Sequence, residues 1–422
     1  MSQSLKIPIP YYKEIFKYFF IVICLYLYLF QPPVINKNIY IVFEGLIVLA
    51  YAMFQRNFVF SFFKKYSIEV FILFCLIMYC LVRDLLVGEV VYFDRFLAWS
   101  FQSFVVGYFI LDLYHKKKVE PKNKIDIFNL LYWASFLAAI LTALLIFYKP
   151  FDIFYESIQL DQYYERYEDF DFRYRAYGIS ENLTFTYSYV LGLFAGYSLL
   201  VLHKNRFLIF PFLLFCLGIF FNARIGFVAL FIFVVIFITK FSIKRLVQLL
   251  LSILGALFLI TLLLPNQLDI ISENSAWGLN FFYEISDLLF GTNYALNDVS
   301  TFDTLTGSFI VFPDNFLAWF FGTGESLFTK SENNSDIGYI LQLYYGGVIL
   351  LVILSILIIF MFNRLRRTIG ITHWFTIFFF LSVLILNFKG FVFAATPGGR
   401  LLFFLYIYFT SFYLYRKEVT TK

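Results

Sequence analysis

Residues 206–240, RFLIFPFLLFCLGIFFNARIGFVALFIFVVIFITK, contain one interior polar break, NARIG at 222–226, in an otherwise apolar run. A single helix of that length would extend about 52 Å at 1.5 Å per residue, far beyond a hydrocarbon core of about 30 Å. Two shorter helices meeting at Arg224 fit better. That choice sets the direction of every later segment.

Apolar runs recur on both sides of this stretch, at 15–30, 39–54, 67–82, 95–114, 125–148, 183–202, 246–264, 336–362, 373–388 and 400–415. The chain has 422 residues, 61% hydrophobic and 14% charged, where a soluble domain carries about a quarter charged. A large soluble core is excluded. The expected fold is all-α, a polytopic transmembrane bundle of about 12 spans. The N-terminal run lacks a small-residue cleavage site and reads as a retained span.

Charge tests the count. With both termini cytoplasmic, 22 Lys and Arg fall on inner segments and 11 on outer ones, as the positive-inside rule requires. Fusing the two halves at Arg224 would invert everything downstream and carry KFSIKR, NRLRR and YRKEVTTK outward. The net charge of +5 therefore reports topology, not nucleic-acid binding. Cys24, Cys75, Cys80 and Cys216 lie inside apolar runs without a Cys-x-x-Cys spacing, and read as small core hydrophobes. No metal site and no cofactor motif is readable.

The chain reads as a single integral membrane domain, 1–422, with two long external loops, 149–182 and 265–335. In the second, NFFYEISDLLF (280–290) has the apolar face of a helix lying on the membrane surface. FPDNFLAWFFGTGES (312–326) forms a second interfacial turn ending in Gly322-Thr323-Gly324. Base identity is informative: seven of the eleven outer bases are Arg, namely Arg83, Arg95, Arg166, Arg173, Arg175, Arg224 and Arg400. A guanidinium is a rigid fork of donors suited to phosphate or carboxylate, so an anion is expected on that face.

The candidate residues each carry two readings. Arg173 and Arg175, in DFRYRAYGISENL (171–183), either pair with Asp169 and Asp171 in a solvated loop or cradle a diphosphate. Arg224, at the tip of the hairpin, either snorkels to the interface or adds a second fork to the same anion. Asp336, in ENNSDIGYILQLYYGG (332–347), is a helix cap or a site carboxylate. Lys389 and Arg400, in NFKGFVFAATPGGR (387–400), are interface anchors or anion ligands. Arg83, Asp84, Asp94 and Arg95 are expected as structural ion pairs. Glu44, the one acid clearly in mid-span, is expected as a neutral, hydrogen-bonded carboxyl group.

In order and placement, RYRAYGISENLTFTYSYVLGLF, FNARIGFVALFIFVV, FGTGESLF and SDIGYILQLYYGGVILLVIL resemble the Wzy-type O-antigen and capsular repeat-unit polymerases. The resemblance covers about residues 90 to 415. It implies a metal-independent, GT-C-like glycosyltransferase of the bacterial cytoplasmic membrane. Such an enzyme polymerises undecaprenyl-diphosphate-linked oligosaccharides on the outer leaflet, alongside a flippase and a chain-length regulator. Arg173, Arg175 and Arg224 would hold the donor diphosphate with Lys389 and Arg400. Glu181 or Asp336 would accept the proton, and Tyr163, Tyr164, Tyr167 and Tyr174 would stack on sugars. The related ligases carry a histidine where this chain has Asp336. A lipid-linked oligosaccharide flippase and a ligase-type transferase are the alternatives.

Overall fold

In the computed structural model, residues 9–116, 126–159, 178–181, 186–201, 206–222, 225–240, 310–327, 335, 337–390 and 392–412 are described, apart from the side chains of 9–15, 116, 206, 236–240 and 389. Among them there are helices and no strands. The first half holds α1 (Ile9–Phe30), α2 (Lys37–Phe54), α3 (Arg56–Val87), α4 (Phe93–Ser100), α5 (Gly107–Lys116), α6 (Ile127–Phe147) and α7 (Lys149–Ile158). A π-helical segment, Phe101–Val106, joins α4 to α5. The second half holds α8 (Ser188–Val201), α9 (Ile209–Phe220), α10 (Ile225–Lys240), α11 (Phe316–Phe321), α12 (Gly338–Ile369), α13 (Trp374–Lys389) and α14 (Pro397–Ile407). Another π segment, Tyr408–Phe412, follows α14.

Each expected apolar run overlaps one of these helices, except 246–264, which lies outside the described residues. Among the described residues, five stretches are long and apolar enough to cross a membrane: α2, α3, the α4–α5 run Phe93–His115, α6 and α12. Side chains such as Phe43, Leu46, Phe71 and Leu85 point outward, and buried rings such as Trp99, Phe403 and Tyr406 fill the interior. That outward apolar surface suits lipid and would be a liability in water.

Local chemistry marks the helix ends. Asn36, Asp126, Asn315 and His373 each accept a backbone N–H in the first turn of α2, α6, α11 and α13. Helix α3 stops at Gly88, whose φ of 83° is the left-handed conformation of a C-terminal cap.

The stretch 206–240 folds as two helices, α9 and α10, with the break between them. Helix α10 lies against α8 because Gly192 and Gly196, four residues apart, let the backbones approach. A methyl group at Gly192 would strike the Gly226 carbonyl, and one at Gly196 would strike the Phe233 ring. Gly226 therefore sits beside the start of α8. Phe233, two turns on, meets Trp374 and Phe378.

The helix ends collect at two ends of the bundle. At one, Arg400 in α14 bonds Leu29 in α1, Lys37 in α2 bonds Ala395, and Gly338 in α12 abuts Asn387 and Gly390. At the other, Arg364 late in α12 meets Glu69 early in α3 at 2.5 Å. Tyr408 there donates to Asp126, and Trp374 meets Phe128 and Tyr197.

Helix α12 is interrupted at Gly347, with φ 64° and ψ −168°. The carbonyls released there are taken up by a neighbouring loop and by a side chain of α3. Tyr344 O accepts from Thr323 N at 2.7 Å, Tyr345 O from Gly324 N at 2.9 Å, and Gly346 O from the Tyr79 hydroxyl at 2.7 Å. A Cβ on Gly347 would strike the Phe320 carbonyl, and one on Gly322 the Tyr345 carbonyl. Both glycines are required by this mutual approach.

Several expectations change. The stretch expected as the first loop, 149–182, opens with α7, and the one expected as the second, 265–335, contains α11; residues 280–290 lie outside the described residues. Of the cysteines only Cys80 is buried, and Cys24 is exposed on an outer face. Among the described residues, Arg83, Asp84, Asp94 and Arg95 form no ion pair. One Asp84 oxygen accepts the N–H groups of Val91, Tyr92 and Phe93, and the other accepts the Tyr345 hydroxyl at 2.6 Å. The short turn into α4 leaves backbone donors that a buried carboxylate satisfies, so Asp84 turns inward, away from the arginines.

Candidate functional site

The turn Thr396-Pro397-Gly398-Gly399-Arg400 starts α14, with Pro397 at the first helical position. A Cβ on Gly399 would come within 2.5 Å of the Ala394 carbonyl, so glycine lets the chain fold tightly back over Ala394 and Ala395. The Arg400 side chain is delivered into the bundle and is fully buried.

All three of its guanidinium nitrogens are engaged. Nε and Nη2 donate to Leu29 O at 3.1 and 2.7 Å. Nη1 donates to Ala395 O at 2.9 Å and to Gln102 Oε1 at 3.3 Å. Nη2 also lies 2.7 Å from Glu181 Oε1, an ion pair by distance, although its N–H direction favours Leu29. Such an arrangement meets the cost of burying a cation in hydrocarbon.

Glu181 is held from three sides. Its backbone N–H donates to Phe30 O at 3.0 Å, Arg400 lies against Oε1, and Lys37 Nζ lies 3.4 Å from Oε2. Ser180 Oγ also donates to Phe30 O, and Tyr26 donates to Ile179 O. Segment 178–181 is thereby fastened to the end of α1. Lys37, about a third exposed, is the cluster's opening to solvent.

Behind Arg400 the polar network continues. Gln102, in the π-helical segment, accepts from Arg400 and donates to Glu44 Oε2 at 2.7 Å. Gln31 donates to Glu44 Oε1 at 3.3 Å. Gln31 is buried, leaves Oε1 without a partner, and has φ 42°, a left-handed conformation unusual for a side chain other than glycine. Both π-helical segments and strained residues concentrate at functional sites. Arg400 and Lys37 both lie against Glu181, whereas Glu44 is met by the two amides Gln31 and Gln102.

Of the residues read from the sequence, the structure brings Glu181 and Arg400 into contact and connects Glu44 to them through Gln102. Lys389 ends α13, and its side chain is not among those described. Arg173, Arg175, Arg224, Asp336, Tyr163, Tyr164, Tyr167 and Tyr174 lie outside the described residues. Gln31, Lys37 and Gln102 were not anticipated. The available signal was two amides embedded in apolar surroundings, where a polar side chain has to find a partner.

A second buried charge was also missed. Glu69 is fully buried and accepts from Arg364 Nη1 and from the Tyr406 hydroxyl, both at 2.5 Å. Among the described residues no group of three or more His, Cys, Asp or Glu could hold a metal ion.

These features define an all-helical protein whose long apolar helices suit a membrane, with a buried charged cluster at one end of the bundle. Neither protein-family models, nor curated proteins, nor solved structures give a match to the chain.

Proposed function

We propose that this chain is a membrane glycosyltransferase that polymerises polyprenyl-diphosphate-linked oligosaccharide units into a surface polysaccharide. The observation supporting this reading is the contact between Glu181 and Arg400. It ties the segment following Arg173 and Arg175 to helix ends α1, α2 and α14 at one end of the bundle. In this reading twelve spans place that end outside a bacterial cytoplasmic membrane, with both termini within.

Arg173, Arg175 and Arg224 hold the donor diphosphate and stabilise the charge that develops on it as it leaves. An acceptor hydroxyl attacks the anomeric carbon, the bond to the diphosphate breaks, and Glu181 takes the hydroxyl proton. Asp336 is the other proton acceptor in this reading, and Tyr163, Tyr164, Tyr167 and Tyr174 stack on the sugars. Arg400, whose donors are turned inward, holds Glu181 in position.

The test is polysaccharide length in a deletion strain. The expected defect is one repeat unit on the carrier lipid, restored to polymer by the intact gene and not by Arg175→Ala with Arg224→Ala. Full-length polymer in the deletion strain rules the reading out.

The interrupted helix α12 favours a second reading, a flippase for the same lipid-linked sugar, because broken helices recur in transporters. Carrier lipid trapped on the inner leaflet in the deletion strain would select it. Loss of transfer of finished polymer to its final acceptor would select the ligase instead.

A further inference from the structure

Arg83 lies one turn from the end of α3, where its neighbours Val82, Leu85 and Leu86 face outward and Asp84 turns in. Its guanidinium meets one acceptor among the described residues: Nη2 donates to Gly322 O at 2.7 Å. No described carboxylate lies within ion-pair distance. Nε is enclosed and has no hydrogen-bond partner. Nη1 is not enclosed and meets no described acceptor, so the guanidinium offers an open charged donor to an occupant that supplies an acceptor.

The surroundings identify that occupant. Gly322 belongs to the turn that closes on the interrupted α12, and Gly324 packs on Val87 and approaches Arg83 Nη2. Tyr79, one turn before Arg83, donates to Phe321 O and Gly346 O and so fixes the turn against α3. Just before the turn, α11 exposes Phe316, Leu317 and Phe320. The cation therefore stands at the polar end of two outward apolar surfaces, those of α3 and α11. A free anion would use only the cation. An amphiphile uses both.

We infer that Arg83 and the Gly322–Gly324 turn form a binding site for the phosphate of a membrane lipid, its tails lying along α3 and α11. A guanidinium takes a phosphate by a planar pair of N–H bonds. The inward commitment of Asp84 removes the acid next to Arg83 in sequence. This site shares no residue with the Arg400 cluster and does not depend on the proposed transferase activity.

The experiment titrates the full-length protein in mild detergent with three probes. They are dioleoyl phosphatidic acid, dioleoylglycerol (the same tails without phosphate) and inorganic pyrophosphate; bound species are counted by native mass spectrometry. Phosphatidic acid is expected to bind about tenfold or more tightly than either of the others, as a charged hydrogen bond is worth. Arg83→Gln is expected to remove that advantage, and Arg83→Lys to retain part of it. Equal binding of phosphatidic acid and dioleoylglycerol overturns the site. So does pyrophosphate binding as tightly as the lipid, or an advantage unchanged in Arg83→Gln. If Arg83→Gln fails to fold, Arg83→Lys carries the mutant arm, and an undiminished advantage there has the same force.

Discussion

Replacing Arg400 by Met keeps a long side chain and removes the guanidinium. Leu29 O then loses two donors and Ala395 O one, while Gln102 Oε1 loses its arginine. Glu181 keeps only Lys37, which is partly in water. Breaking one side of a buried ion pair costs about 3–5 kcal/mol, because the remaining charge stays buried. Arg400 is fully buried, so solvent does not discount that figure. Adding Glu181→Leu relieves the stranded carboxylate but leaves the Leu29 carbonyl without either arginine donor and the Ala395 carbonyl with Lys37 alone. The double variant is therefore expected to recover only part of the loss, leaving about 1–3 kcal/mol. Arg400→Lys preserves charge on one nitrogen, which cannot reach all the acceptors, and falls between wild type and Met. The assay is reversible unfolding of the purified protein in mixed detergent–SDS micelles, followed by circular dichroism. A loss under about 1 kcal/mol for Arg400→Met, or full recovery in the double variant, would refute the reasoning.

Gly347→Ala forces a methyl group into a positive-φ position against the Phe320 carbonyl; a loss of roughly 2 kcal/mol or more is expected in the same assay. Gly196→Leu drives a side chain into the Phe233 ring and is expected to expose the α8–α10 interface to protease in membranes, where wild type resists. Arg364→Met strands buried Glu69. A loss of about 3 kcal/mol is expected, with much of it recovered by Glu69→Gln in the same chain. Cysteines introduced singly at Lys37 and Lys65 in a background without native cysteines are expected to react with an impermeant maleimide from opposite sides of the membrane. Labelling of both from one side would contradict the two-ended arrangement of the bundle.

The helices were legible because lipid imposes a simple rule: long apolar runs must satisfy their own backbone. The run at 373–388 is helix Trp374–Lys389, and the break at NARIG separates α9 from α10. Boundaries failed where a helix carries charge past its apolar run. The run ending at 362 continues as helix to Ile369, because Arg364 is inside against Glu69 instead of outside in a loop. Helix α3 likewise begins at Arg56, well before the expected 67. Hydropathy counts a charge as solvent and cannot see its partner.

The site was half legible for a related reason. Glu181 and Arg400 stood out as charges among apolar residues, but their relation did not. Arg400 bonds Leu29 across 371 positions and Gln102 across 298. No local periodicity encodes such pairings. Gln31 and Gln102 carry no charge and have no recurring spacing. They became visible only when the bundle brought them to Glu44.

The 371-position separation between Leu29 and Arg400 bears on how the protein is made. At roughly 5–20 residues per second, about 20–70 s pass between synthesis of α1 and arrival of its guanidinium partner. Through that interval Glu181 and the polar network of Gln31, Gln102 and Glu44 lack the guanidinium that will complete them. Newly inserted early helices would need shielding, by the translocon's lateral gate or a membrane chaperone, until α14 emerges. A ribosome stalled before codon 400 would leave a fragment in which Glu181 lacks its buried guanidinium, the kind of lesion that membrane quality-control proteases extract.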